Sequence, residues 1–345
     1  MAFDSVVLNE GFFGSNKVHC AARYRFGDAE RIVYGTDDGV FVSDLNAIGK
    51  DPVMVLALCD VRQVDVLPED YQLLVVLTER QVLNFPLDAL DSTDPTVALK
   101  QSKRIASDTS LVKVGFCLER LLVCIIKTKY SSSTVKVLEP IRESSRLTAD
   151  TFRVFKELFI PNEVTSVHWL KTRICVGCSR GFEVADMKSQ EIYSVLNSED
   201  ESLEFVRPKS GFLPSFRKQK NPRPMAIYRI DEEFLLCYDE FAFYIDKTGR
   251  RSRKEFMMSW EGKPTSFALC GPYVLAFEPS FVEVRHIETG VQSQVIRGSN
   301  MRPLFADTVD GSDGGDILVA SDDRILSFRT TAGQEALRPV TIASS

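Results

Sequence analysis

Seven times along this chain a β-rich run, a tight polar turn and a second, alternating run follow one another. That repeat limits the fold more than any other feature of the sequence. The segments are RIVYGTDDGVFVSDL from Arg31, LLVVLTERQVLNFPL from Leu73, LLVCIIKTKYSSSTVKVLE from Leu121, RICVGCSRGFEVADM from Arg173, FLLCYDEFAFYID from Phe234, YVLAFEPSFVEVRHI from Tyr273 and ILVASDDRILSFRT from Ile317. Anchored on Ile32, Leu73, Leu121, Ile174, Phe234, Tyr273 and Ile317, the spacings run from 39 to 60 residues. The irregularity lies in the connections, not in the hairpins. Each hairpin follows a shorter strand-like run: VHCAARY, VRQVDVL, LVKVGFC, VTSVHWL, PMAIYRI, PTSFALC and PLFADTV. Several are followed by one more, such as PVMVLAL, EIYSVLN and KEFMMSW.

Three to four strands every ~40–50 residues is the pattern of a propeller blade. The first run of each hairpin is almost continuously apolar, as a strand buried on both faces should be. Asp38-Gly39, Arg180-Gly181 and Ser321-Asp322-Asp323 stand where two strands must reverse, and these residue types suit tight turns. The expected fold is all-β: a seven-bladed β-propeller of mostly four-stranded antiparallel blades, with residues 1–345 as one domain. SVVLNEG near the N-terminus and PVTIASS at the C-terminus are candidates to share one blade and close the ring. A two-domain α/β protein would need helical patterns of 10–15 residues between strands, and these are nearly absent. In Ser145–Phe159 the residues Phe152, Phe155 and Phe159 recur at helical spacing, yet read equally as a strand running into Ile160-Pro161.

Composition narrows the function classes. With 42 basic and 48 acidic side chains the formal charge is −6, against the basic footprint of a nucleic-acid binder. The longest apolar runs, Leu73–Leu77 and Leu121–Ile126, fall far short of the ~20 residues that span a bilayer. MAFDSVVLNE carries Asp4 and no basic-then-apolar succession, so no signal peptide is expected. The eight cysteines are dispersed through apolar runs, as buried, reduced thiols of a cytosolic protein would be.

Two segments stand out by charge. Asn197–Glu204 (NSEDESLE) is acidic and leads into Arg207–Arg223 (RPKSGFLPSFRKQKNPR), which is basic and holds three prolines. Together they form a long loop, about 197–223, between the fourth and fifth hairpins. Long loops in compact domains are solvated connections or functional ones. In the functional reading Phe212, Leu213 and Phe216 are apolar anchors, with Arg217, Lys218 and Lys220 contacting phosphate or carboxylate. The second segment, Lys247-Thr-Gly-Arg250-Arg251-Ser-Arg253-Lys254, places five positive charges in eight residues at a strand-to-strand turn. It suits an acidic protein surface, or an anionic lipid surface at roughly 1 kcal/mol per residue.

Catalytic and metal patterns are missing. Cys175-Val-Gly-Cys178 lies in an expected strand, where positions i and i+3 face opposite ways and cannot readily chelate one ion. His19 and His168 fall in first strands of their blades and His286 in a second hairpin strand, so a His19/His168 pair on inner strands is conceivable. No phosphate-binding Gly-rich loop, Gly-x-Ser-x-Gly elbow or His-Glu-x-x-His occurs. Asp37/Asp38, Asp239/Glu240 and Asp322/Asp323 sit in turns, where such residues satisfy backbone amides. No cofactor, metal or catalytic residue is expected.

The WD-repeat signature is also missing, since the only tryptophans are Trp169 and Trp260. FLLCYDEFAFYIDKTGRRSRKEFMMSWEGKPTSFALCGPYVLAFEPSFVEVRHIETG, residues 234–290, instead resembles the citron homology (CNH) domain. RIVYGTDDGVFVSDL resembles the opening hairpin of that family, and FKELFIPNEVTSVHWLKTRICVGCSRGFEVADM its central one. The Tyr-Asp-Glu-Phe, Trp-x-Gly-x-Pro and Ile-Glu-Thr-Gly motifs occur in this order, and the resemblance runs from about Asn16 to Arg329. The version here is most similar to the C-terminal regulatory domain of fungal exchange factors for Rho-type GTPases. Citron kinase, germinal-centre-type kinases and vacuolar sorting proteins are other branches. The resemblance implies a non-catalytic protein–protein interaction domain that binds Rho-type small GTPases or scaffold proteins. It also implies contact with the exchange modules, which would lie outside this chain, and a cytoplasmic protein recruited to the cell periphery in cell-wall integrity signalling. In Tyr238-Asp239-Glu240-Phe241 the two acids are expected to turn a hairpin while the two rings pack.

Overall fold

A computed structural model describes residues 2–13, 18–45, 50–143, 150–207, 221–305 and 317–330. The chain divides into two compact units, residues 16–263 and residues 1–15 with 264–345. The first unit holds five four-stranded antiparallel sheets in chain order. Sheet one is β2 (Val18–Phe26), β3 (Ala29–Thr36), β4 (Val40–Asp44) and β5 (Val53–Leu56). Sheet two is β6 (Gln63–Val66), β7 (Leu73–Leu77), β8 (Gln81–Pro86) and β9 (Lys103–Ser107). Sheet three is β10 (Leu111–Cys117), β11 (Arg120–Lys129), β12 (Ser132–Pro140) and β13 (Phe152–Ile160). Sheet four is β14 (Val164–Trp169), β15 (Arg173–Cys178), β16 (Gly181–Asp186) and β17 (Ile192–Ser194). Sheet five is β18 (Pro224–Ile230), β19 (Glu233–Tyr238), β20 (Phe241–Ile245) and β21 (Met258–Ser259).

The second unit holds two more. One is β22 (Ser266–Cys270), β23 (Tyr273–Phe277), β24 (Phe281–His286) and β25 (Gln292–Arg297). The other joins β26 (Arg302–Phe305), β27 (Ile317–Ser321) and β28 (Arg324–Thr330) to β1 (Phe3–Glu10), which pairs antiparallel with β28. Seven sheets of this meandering order are the seven blades read from the repeat. The N-terminal strand therefore completes the blade of the C-terminal hairpin, as expected for SVVLNEG, whereas PVTIASS lies outside the described residues.

Each blade follows from its sequence pattern. The second strand of a blade, the first run of its hairpin, is apolar on both faces because its neighbours cover both: all of β7 is buried, as are Leu121–Ile126 of β11 and Val274–Phe277 of β23. Turn polar groups are met locally. In the first hairpin Thr36 Oγ1 accepts from the Asp38 and Gly39 amides and donates to the Gly39 carbonyl. The ambiguous segment resolves as a strand. β13 runs along β12 with Leu158 and Ile160 buried beside Val135 and Val137, so the two-residue period of a blade edge outweighs the helical spacing of its phenylalanines. Residues 144–149 of that segment lie outside the described residues. One short helix, α1 (Pro95–Leu99), was not legible; Asp94 caps it by accepting from the Thr96 and Val97 amides. Among the described residues no helix is long and apolar enough to cross a membrane.

Candidate functional site

The acidic segment and the second basic segment, 51 residues apart in sequence, form one structure at the edge of blade five. The turn after β20 is built by Asp246, whose Oδ1 accepts from the Thr248 amide, the Thr248 hydroxyl and the Arg250 amide. That geometry puts Gly249 at φ +78, where a side chain is strained. A Cβ there would also collide with the Val195 carbonyl oxygen. The close approach lets the Asn197 amide donate to the Gly249 carbonyl at 2.9 Å. Asp200 then works in two directions. Its Oδ1 caps the short turn Glu201–Leu203 through the Ser202 amide and hydroxyl, and its Oδ2 accepts from the Arg251 amide at 2.8 Å. Arg207 closes the strap by donating to the carbonyls of Asn197 and Asp200.

Apolar contacts hold the strap down. Leu203 and Val206 are buried with Phe182, Ile227, Leu236 and Phe243. The Phe205 ring meets Phe241 and Phe243 edge-on at 5.2 and 5.1 Å, and the Arg251 guanidinium lies over it at 5.1 Å. The strap is fixed through Asp200 and through its side-chain packing, while Glu201 and Glu204 stay exposed.

This arrangement engages most of the predicted basic cluster. Lys247 pairs with Glu232, Arg250 with Glu199 at 3.3 Å, and Arg253 with Glu233 at 2.7 Å. Arg251 also donates to the Phe256 carbonyl, and Arg253 stacks over Tyr244 at 3.9 Å. Lys254 is exposed and, among the described residues, has no ion pair. The carboxylates respond: hydrogen bonds from Ser202 and the Arg251 amide hold Asp200 below the usual range. For Asp246 and Glu233 burial pushes upward, but hydrogen bonds from Thr248 and Arg250, and from Ser252 and Arg253, outweigh it and lower both. Phe212, Leu213, Phe216, Arg217, Lys218 and Lys220 lie outside the described residues. Beyond that segment, the Arg223 amide donates to Asp239 Oδ1 while the Arg223 carbonyl accepts from the Asp239 amide.

The Tyr238-Asp239-Glu240-Phe241 motif builds the blade as expected. Tyr238 is buried with its ring 5.5 Å from both Phe241 and Phe182, and the Trp260 indole N–H donates to its carbonyl at 2.9 Å. Cys175 and Cys178 are both free and buried, and burial raises both thiols. Among the described residues no group of three or more His, Cys, Asp or Glu side chains is placed to hold a metal ion. The two inner-strand histidines have separate partners. His19 Nε2 lies 2.6 Å from Asp37 and 3.0 Å from Arg62, and His168 bonds Ser166 at 3.1 Å.

Beside His168 of β14, which the sequence placed on an inner strand, the sequence reading missed further polar residues on neighbouring inner strands: Gln63 and Asp65 of β6, Lys113 of β10 and Ser166 of β14. Gln63 donates to Asp65 at 2.6 Å. Burial pushes Asp65 up to about 6 and, with help from the Lys113 charge, His168 down to about 3. Lys113 is also lowered by burial, which Asp65 partly opposes. The signal was present as single polar letters inside VRQVDVL, LVKVGFC and VTSVHWL, where nothing local distinguishes an inward polar residue from an outward one.

Residues 28–307 match the model of the CNH domain. The chain is 41% identical over 339 residues to Rho1 guanine nucleotide exchange factor 1 of Schizosaccharomyces pombe, covering 93% of this chain and 24% of that protein. It is 26% identical over 329 residues to RHO1 GDP-GTP exchange protein 2 of Saccharomyces cerevisiae, covering 89% and 23%. The chain thus spans about a quarter of the length of these curated relatives. Among solved structures the AfRom2 CNH domain superposes with a TM-score of 0.79 at 37% identity, covering 95% of this chain and 98% of that one.

Proposed function

Since the chain belongs to the CNH domain family, we propose that it is the interaction and regulatory domain of a Rho-type guanine-nucleotide exchange factor, working by binding protein and without chemistry of its own. The observation that carries this reading is the match of 93% of the chain to about a quarter of a Rho1 exchange factor. The remaining three quarters of such a protein leave room for the modules that perform exchange. We take residues 1–345 as one domain, because the AfRom2 CNH structure covers 95% of the chain. Its partners are a Rho-type GTPase or a scaffold protein, together with the exchange modules of its own polypeptide. The setting is Rho signalling toward cell-wall integrity, in the cytoplasm and at the cell periphery.

The docked strap and the basic turn supply a preformed contact surface for such partners. The backbone of 197–207 is fixed before any partner arrives, so little ordering entropy is lost on binding. Arg250 and Lys254 lie on its outside, with Phe212, Phe216, Arg217, Lys218 and Lys220 in the adjoining segment as further candidate contacts. Adding this chain to the exchange modules of a Rho1 exchange factor that lacks its corresponding region should change the rate of GDP release from the GTPase. An unchanged rate at saturating chain removes the regulatory reading.

A further inference from the structure

Among the described residues, one face of blade three gathers three lysines that have no ion pair, Lys127 and Lys129 of β11 and Lys136 of β12. β11, with ten residues, is the longest strand among those described, and its turn to β12 ends in Tyr130, which is 91% exposed at φ 57. Cross-strand partners share a face of a sheet. The register sets Lys127 opposite Thr134 and Thr134 opposite Phe159, with Lys129 opposite Ser132 and Lys136 opposite Glu157. The other face is the buried one, holding Cys124, Ile126, Val135, Val137, Leu158 and Ile160. The lysine face is closed at Ile125 and opens toward the tip, where Phe159 is 62% exposed. Among the described residues Lys127, Lys129 and Lys136 have no ion pair, and Lys129 makes only a cation–π contact with Tyr130 at 5.9 Å. Glu157 is the carboxylate in this array, and it stands at the end away from the tip.

We propose that this open end of blade three docks on an anionic lipid bilayer. Free ammonium groups on flexible stems suit a diffuse field of lipid phosphates, whereas a protein carboxylate site favours the planar fork of arginine. Tyr130 and Phe159 supply the second component, since aromatic side chains favour the headgroup level of a membrane interface. The charges of the 247–254 turn contrast with this, because carboxylates of the same blade edge already hold three of them. The inference does not depend on the GTPase reading.

The test is co-sedimentation of the whole chain with phosphatidylserine-rich vesicles and with pure phosphatidylcholine vesicles, at low and high salt. Sedimentation with the anionic vesicles alone, lost at high salt, is expected. K127E/K129E should lower the partition coefficient by more than about tenfold, taking roughly fivefold per lysine. Y130S/F159S should lower it as well. All of these positions are exposed or half-buried, and an unchanged melting temperature confirms folding. No binding to anionic vesicles, or full binding by K127E/K129E, overturns the proposal. Binding retained by Y130S/F159S removes the aromatic tip from it. Capture of a polyglutamate peptide without vesicle binding would reassign the surface to an acidic protein.

Discussion

The turn at 247–254 and the open end of blade three are both basic, and only the first is conspicuous in the sequence. The turn has five cations in eight residues, yet Lys247, Arg250 and Arg253 each hold a carboxylate, and Arg251 lies over Phe205. On blade three Lys127, Lys129 and Lys136 are spread over ten residues and two strands, and their register alone gathers them. Charge density along a chain is therefore a poor guide to charge available at a surface. What decides is whether the fold brings carboxylates to the same place.

The comparison can be broken most severely at Gly249. Gly249→Val adds a side chain at positive φ against the Val195 carbonyl, and should cost on the order of 3 kcal/mol or more in denaturant unfolding. A loss under about 1 kcal/mol would mean that strap and turn are not tightly joined. Leu203→Ala removes a fully buried anchor of the strap and should cost about 2–4 kcal/mol. Arg253 and Glu233, each about a quarter exposed, make a smaller contribution. Arg253→Gln should cost about 1 kcal/mol, while Lys127→Gln should fall within about 0.5 kcal/mol of the parent.

Acid separates the two regions in another way. Asp200, Asp246 and Glu233 have folded-state values below their unfolded ones. Their stabilisation is therefore present above the ordinary carboxylate range near pH 4, and is lost as pH falls through the lowered values. Amide hydrogen exchange within 197–207 should quicken below about pH 4 before that of β11 and β12 does. Simultaneous loss of protection in both regions would contradict this assignment.

The blades were legible because a hairpin is local: an apolar run, a polar turn and an alternating run announce each one within about twenty residues. β13 was ambiguous because three phenylalanines at helical spacing also fit a strand edge, and only the buried pair Leu158 and Ile160 against β12 settles it. The docking of Glu199 and Asp200 onto Arg250 and Arg251 could not be read, since no local pattern links positions 51 apart. The same holds for Asp65, Lys113 and His168, which are brought together by blade succession. Tyr238 and Phe241, by contrast, were read as packing rings from their motif, and they do pack together.

The most direct test of the functional account is titration calorimetry of this chain with a Rho-type GTPase in its nucleotide-free, GDP-bound and GTP-analogue-bound states. Binding that favours one nucleotide state is the predicted result, and Arg250→Glu or Lys254→Glu should weaken it while reducing its salt dependence. Absence of binding in all three states would contradict the GTPase as a direct partner, and leave scaffold proteins and the exchange modules as the contacts to measure.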